Sequence, residues 1–103
     1  MVAQDQLALL KRAIAERRYD EAIQGARRLV LQTDKHPEAR LLLGQALLAA
    51  SRLDEARVEM LAFTREHPRD AGGHRLLGEA QLRAGQIDAA QIFVFNGAVA
   101  GTT

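Results

Sequence analysis

Three aspartates, Asp20, Asp54 and Asp88, recur at one constant interval and are the most regular set of reactive side chains in the sequence. A pair of carboxylates brought together could act as general acid and general base. Equal spacing instead indicates one structural position that is used three times, and aspartate is a preferred residue at a helix N-cap. We therefore predict that each aspartate caps a helix and that none of them is catalytic.

The other residues that could carry chemistry are few. The sequence contains three histidines, one serine and no cysteine. Ser51 has no histidine near it in sequence to act as its base. The histidines, at positions 36, 67 and 74, do not show the i, i+4 spacing that places two metal ligands on one helix. We therefore expect no catalytic site, no metal and no cofactor.

The interval between the aspartates is shared by longer segments. Tyr19-Asp20-Glu21-Ala22 recurs as Leu53-Asp54-Glu55-Ala56 and as Ile87-Asp88-Ala89-Ala90, while Leu42-Leu43-Gly44 recurs as Leu76-Leu77-Gly78. Between these segments the apolar residues lie three and four apart, which predicts amphipathic helices. The period and the residues resemble the tetratricopeptide repeat, a helix-turn-helix unit of about 34 residues. We call this interval the repeat period.

This resemblance covers essentially the whole chain. It implies an all-α fold in which three helix-turn-helix units, at about 3–36, 37–70 and 71–103, stack as a right-handed α-solenoid. The chain of 103 residues, 48% of them hydrophobic, is large enough to bury a core as one domain, 1–103. The resemblance also implies a scaffold for protein-protein interaction, without naming the partner.

In the family, the first helix of each unit forms the concave wall of a groove. A largely aliphatic wall with a few charges at its ends suits an apolar helix or an extended peptide with apolar anchors. Leu7, Leu41 and Leu48 could equally be ordinary packing between neighbouring helices, and both interpretations are open here. The groove-facing slots of this sequence hold Leu7, Lys11, Ile14, Leu41, Gln45, Leu48, Arg75, Glu79 and Leu82.

The composition changes after Asp88, because no charged residue occurs between Ala89 and Thr103. A terminal repeat normally has a polar outer face. Each bulky apolar side chain left in water forgoes about 1.5–3 kcal/mol. We predict that Ile92, Phe93 and Phe95 contact a partner, which is a second copy of the chain, a further repeat of a longer scaffold or a hydrophobic client.

The charge balance excludes some partners. With 14 Lys and Arg against 13 Asp and Glu, a net charge of +1 does not favour nucleic acid or an anionic membrane. The apolar run near the C-terminus is shorter than the about 20 residues of a membrane span. The first residues lack the features of a signal peptide, so we expect a cytoplasmic protein with protein or peptide partners.

The prevalence of Ala, Leu and Arg over Lys is compatible with a bacterial origin. The small size allows a more specific alternative. In this alternative the chain resembles the short repeat-containing chaperones of bacterial secretion systems, which cover an aggregation-prone helix of a client.

Overall fold

The computed structural model describes residues 2–85, which form five α-helices and contain no β-strand. The prediction of an all-α repeat fold is confirmed. Asp88 and the predicted contact residues Ile92, Phe93 and Phe95 lie outside the described residues. In chain order the helices are α1 (Val2–Ala15), α2 (Tyr19–Gln32), α3 (Pro37–Ala49), α4 (Leu53–Glu66) and α5, which is described over 71–85.

The turns inside the first two helix pairs have the same backbone geometry at equivalent positions of the repeat. Arg17 and Ser51 adopt left-handed φ angles of 63° and 61°. In each turn the next amide, of Arg18 or Arg52, donates to a carbonyl five residues back at 2.8 Å. This pattern of bonds satisfies carbonyls at the end of the preceding helix. The repeat is therefore present in the hydrogen bonding as well as in the sequence.

The connection between the first and second helix pairs is longer than the turns within the pairs, and it ends as the sequence predicts. Asp34 and Lys35 both have positive φ angles. Pro37 then occupies the first turn of α3, where its missing N–H is not required by the helix. The imidazole Nδ1 of His36 accepts the amide of Glu38 at 3.2 Å and so caps this helix, a role that the sequence did not predict.

The prediction that Asp20 and Asp54 cap helices is wrong. The helices begin one residue earlier, at Tyr19 and Leu53, and no side chain caps either of them. Both carboxylates thus lie inside the first helical turn. There they interact favourably with the positive end of the helix dipole, but they do not occupy the N-cap position. Asp70 does cap a helix, because its Oδ1 accepts the amide of Gly73 at 2.9 Å.

The two complete helix pairs exchange the positions of their large and small residues. A Cβ atom placed on Gly25 would lie 2.7 Å from Cδ2 of Leu10, so α1 supplies the large side chain and α2 the glycine. In the next pair the Cβ would be on Gly44, 2.7 Å from Sδ of Met60, so α3 supplies the glycine and α4 the large side chain. Leu10 stands one repeat period before Gly44. Gly25 stands one repeat period before Glu59, the neighbour of Met60, so the two close approaches are filled from opposite helices at positions that differ by one residue on the second helix.

The fifth helix packs against α4 through another glycine. A Cβ atom on Gly73 would lie 2.6 Å from Cδ1 of the Phe63 ring and 3.3 Å from Cγ2 of Thr64. Phe63 is fully buried. One continuous apolar core extends from Leu7 in α1 to Ala84 in α5.

Candidate interaction surface

The helices α1, α3 and α5 lie side by side. Lys11 of α1 is 3.2 Å from the carboxylate of Glu38 in α3. At the other end of α3, Nη1 of Arg83 in α5 donates to the carbonyl of Leu48 at 3.2 Å. We call the accessible side chains of these three helices the first-helix wall, because these helices come first in their pairs.

Burial divides the apolar residues that were assigned to the groove. Leu7 and Leu48 are only 5% and 2% exposed and belong to the core, so they support the wall and present almost no surface. This favours the packing interpretation for both residues. Ile14 and Leu41 are half-buried and pack against the core with part of their surface accessible. Of the two alternatives, packing thus applies to Leu7 and Leu48, and the assignment of Leu41 to the groove stays a prediction.

The polar members of the set and Leu82 are accessible in the structure. Lys11 and Arg75 are exposed, while Gln45 and Glu79 are half-buried. Leu82 is 63% exposed and adds apolar surface to the wall. Glu79 lies 3.6 Å from Arg83, so its carboxylate is partly neutralised. The wall therefore offers apolar surface, one amide and charged groups toward its ends.

Two residues of the wall were missed by the sequence reasoning. Glu38 pairs with Lys11, and Arg83 connects α5 to α3 while pairing with Glu79. The contacts of Lys11 with Glu38 and of Arg83 with Leu48 join residues that are distant in sequence, and no local pattern signals them.

A cleft lies between α1 and α2 and contains none of the predicted groove residues. Its volume is about 590 Å³. Leu10, Ala13 and Leu29 supply buried apolar surface to it, and Leu9 is 63% exposed there. Its remaining lining residues are Gln6, Arg18, Glu21, Gln24, Gly25, Arg28 and Gln32.

A buried arginine connects α3 to α4. The side chain of Arg40 is 8% exposed, and Nη1 donates to Oε2 of Glu66. Its Cζ lies 5.1 Å from the centroid of the Phe63 ring, a distance suited to a cation–π contact. Lys35 is 3.5 Å from the other oxygen of Glu66. The hydrogen bond from Arg40 is the main cause that lowers the pKa of Glu66 below its ordinary 4.5. This cluster is structural, since its cation is already paired inside the protein.

The lowered pKa predicts how stability depends on pH. Because the pKa of Glu66 is lower in the folded state, the pair stabilises the fold fully above the unfolded pKa near 4.5. The stabilisation is lost as the pH falls through the folded pKa. We expect Glu66→Gln to be less stable than the parent at pH 7, with the difference shrinking in acid.

Urea unfolding at pH values from 7 to 3 measures this difference. Glu59→Gln is a suitable control, because it makes the same change in the middle of the same helix and Glu59 makes no ion pair among the described residues. A difference between Glu66→Gln and the parent that stayed constant down to pH 3 would contradict the prediction.

The described part of the chain gives no sign of a metal site or a membrane span. Within residues 2–85 no group of three His, Asp or Glu side chains is placed to hold a metal ion. In the same range no helix is long and apolar enough to cross a bilayer.

Comparison with known proteins gives one family. The sequence profile described as tetratricopeptide repeat matches residues 13–77, more than half of the chain. This range runs from the end of α1 into α5. Comparison with curated proteins and with solved structures gave no significant match.

Proposed function

The chain belongs to the tetratricopeptide repeat family, and from this premise we propose that it binds a protein partner on the first-helix wall and catalyses no reaction. Members of the family are generally protein-protein interaction modules. The observation that carries the proposal is the accessible apolar surface on all three helices of the wall, where Leu82 is 63% exposed and Leu41 and Ile14 are half-buried.

The chemistry of the wall limits the kind of partner. Accessible aliphatic side chains provide pockets for apolar anchors, and Gln45 can hydrogen-bond to a peptide backbone. Lys11 and Glu38 neutralise each other at one end, so the charges do not select a strongly acidic or strongly basic ligand. The partner is therefore an apolar helix or an extended peptide with apolar anchors.

A second contact surface is supported by the sequence of the C-terminal segment. Residues 89–103 carry no charge, and Ile92, Phe93 and Phe95 lie within them. We propose that this segment joins two copies of the chain. The same composition would suit the seam to a further repeat in a longer scaffold, and a small chaperone that covers a client helix is the third alternative.

Peptide selection followed by substitution tests the wall. Peptides selected from a random library on the immobilised chain would be measured by fluorescence anisotropy. We expect Leu41→Ala and Leu82→Ala each to weaken binding about tenfold, which corresponds to about 1.4 kcal/mol for one lost anchor. Gln45→Ala should weaken it less, because a net hydrogen bond contributes about 1 kcal/mol.

Leu31→Ala is the matched control. Leu31 is 83% exposed and lies on α2, outside the wall, so its removal should leave the affinity unchanged. Circular dichroism verifies that each variant is folded. Equal affinity of all variants, or a library that yields no binder, would contradict binding at the wall.

A further inference from the structure

The cleft between α1 and α2 has a counterpart between α3 and α4, and there the same place is bridged by side chains. Arg40 of α3 donates to Glu66 of α4, and its Cζ lies 5.1 Å from the centroid of the buried Phe63 ring. One repeat period earlier the sequence has smaller or uncharged residues, which are Gln6, Gln32 and Leu29. All three line the cleft. Because two amides cannot form an ion pair and leucine is smaller than phenylalanine, the first helix pair lacks this bridge.

Two further differences enlarge the cleft. Ala13 stands at the position of Leu47, which is fully buried in the second pair. Gly25 stands at the position of Glu59 and has no side chain to cover the cleft. The volume of about 590 Å³ falls within the range of about 300–1,000 Å³ that is typical of binding sites. The cleft thus results from smaller residues on both helices.

The exposure of Leu9 indicates what kind of element fits the cleft. Leu9 is 63% exposed, whereas Leu43, one repeat period later, is 3% exposed. Leu43 is covered because α3 packs against α2 as well as against α4, and no helix of the described residues takes the place of α2 beside α1. The lining on α2 extends over 21–32, about three helical turns. An element of this length that covers Leu9 is a helix.

The outer side of α1 is less suited to such a helix than the cleft is. Asp5 and Arg12 are exposed there, at the positions where α3 has the buried residues Ala39 and Ala46. A helix packed closely on this side would desolvate two charged groups. The occupant therefore lies in the cleft, against the apolar side chains that line it.

The charges that line the cleft indicate the chemistry of the occupant. Arg18 is already bound by two carboxylates, those of Glu16 and Glu21, each at 2.7 Å. Arg28 is exposed and makes no ion pair among the described residues. Since a guanidinium pairs favourably with a carboxylate, an acidic side chain of the occupant complements Arg28.

We propose that this cleft binds one amphipathic helix of a second protein partner, which places a large apolar side chain against Leu9 and a carboxylate on Arg28. The site is separate from the first-helix wall. Leu9 and Lys11 are two positions apart on α1, about 200° around the helix, so the cleft and the wall lie on opposite sides of α1. Both surfaces can be occupied at the same time.

Helical peptides test the proposal. A library of amphipathic, helix-forming peptides is selected on the immobilised variant Leu41→Ala with Leu82→Ala, in which the apolar surface of the wall is reduced. Fluorescence anisotropy then measures the affinity of the selected peptides for the parent. We expect Leu9→Ala and Arg28→Glu each to weaken binding about tenfold. Replacing the acidic residue of the peptide by lysine should restore its affinity for Arg28→Glu.

Two substitutions of the same type serve as matched controls. Leu31→Ala and Arg65→Glu change exposed residues that do not line the cleft, so both should leave the affinity unchanged. Circular dichroism verifies that each variant is folded.

Filling the cleft tests the comparison with the second helix pair. Ala13→Leu with Leu29→Phe gives the first pair two of the larger residues of the second pair, and the selected peptides should no longer bind. Gln6→Arg with Gln32→Glu restores the ion pair instead and should also weaken binding. This second variant changes only half-buried and exposed side chains, so it remains informative if the first does not fold.

The possible results separate this proposal from binding at the wall. A library that yields no binder, or peptides that bind the parent, Leu9→Ala and Arg28→Glu equally, would overturn it. A dimer of the parent that Leu9→Glu dissociates in light scattering would show that a second copy, not a partner, occupies the cleft. Failure of binding at the wall with intact binding at the cleft would overturn the function proposed above and leave this inference standing.

Discussion

Met60→Ala is expected to lower the free energy of unfolding by about 2–5 kcal/mol, the range for truncating a buried methionine to alanine. Met60 is 1% exposed, and its Sδ and Cε fill the space over Gly44. Removing them leaves a cavity between α3 and α4 beside Gly44. Chemical unfolding monitored by circular dichroism measures the loss.

The compensating change follows from the first helix pair. Gly44→Leu alone should cost at least about 1–3 kcal/mol, because the core has no room for the added side chain. Combined with Met60→Ala it should cost clearly less than the sum of the two single changes. The double variant places a leucine and an alanine at the positions where the preceding repeat carries Leu10 and Ala26.

A double-mutant cycle isolates this coupling. The matched control pairs Met60→Ala with Leu31→Ala, since Leu31 is largely exposed on α2 and the two effects should add. Strict additivity of Gly44→Leu and Met60→Ala would contradict the exchange of large and small residues between the two pairs.

Gly73→Ala is expected to destabilise the fold by about 1–3 kcal/mol, although alanine is the better helix former. The new Cβ would approach the Phe63 ring to 2.6 Å, and a fully buried ring cannot move without disturbing its neighbours. This cost outweighs the gain in helix propensity of up to about 1 kcal/mol. Thermal and urea unfolding measure the difference from the parent.

Gly72→Ala is the adjacent control, with a smaller expected effect. Its Cβ would lie 3.6 Å from Cδ1 of Leu41, an ordinary contact, and 3.1 Å from Oδ1 of Asp70, which caps α5 and would have to move slightly. The helix propensity of alanine, up to about 1 kcal/mol, should offset most of this cost. Equal effects of the two substitutions would contradict the tight contact between α4 and α5.

Local pattern was sufficient for the elements of the fold. Apolar spacing of three and four, the repeat period and Pro37 at a helix start predicted the helices, and the structure confirms them over the residues it describes. These signals are local because a helix is stabilised by bonds between residues four apart and by one apolar face. The family followed from the same repeated residues.

The aspartate caps show where local pattern was insufficient. Arg17 and Ser51 adopt left-handed φ angles, which tighten each turn and start the next helix one residue early. Asp20 and Asp54 consequently lie inside their helices. A difference of one residue decides whether a carboxylate reaches the free amides, and propensity does not resolve helix ends that finely.

The sequence by itself determined the repeat, the helical class and the contrast between the charged helices and the uncharged residues 89–103. Only the tertiary structure decided which predicted groove residues are accessible, with Leu7 and Leu48 buried and Leu82 exposed. It also decided the contact of Lys11 with Glu38. The physical reason is that helix periodicity identifies an apolar face, whereas the neighbours that cover each part of that face come from distant residues of the chain.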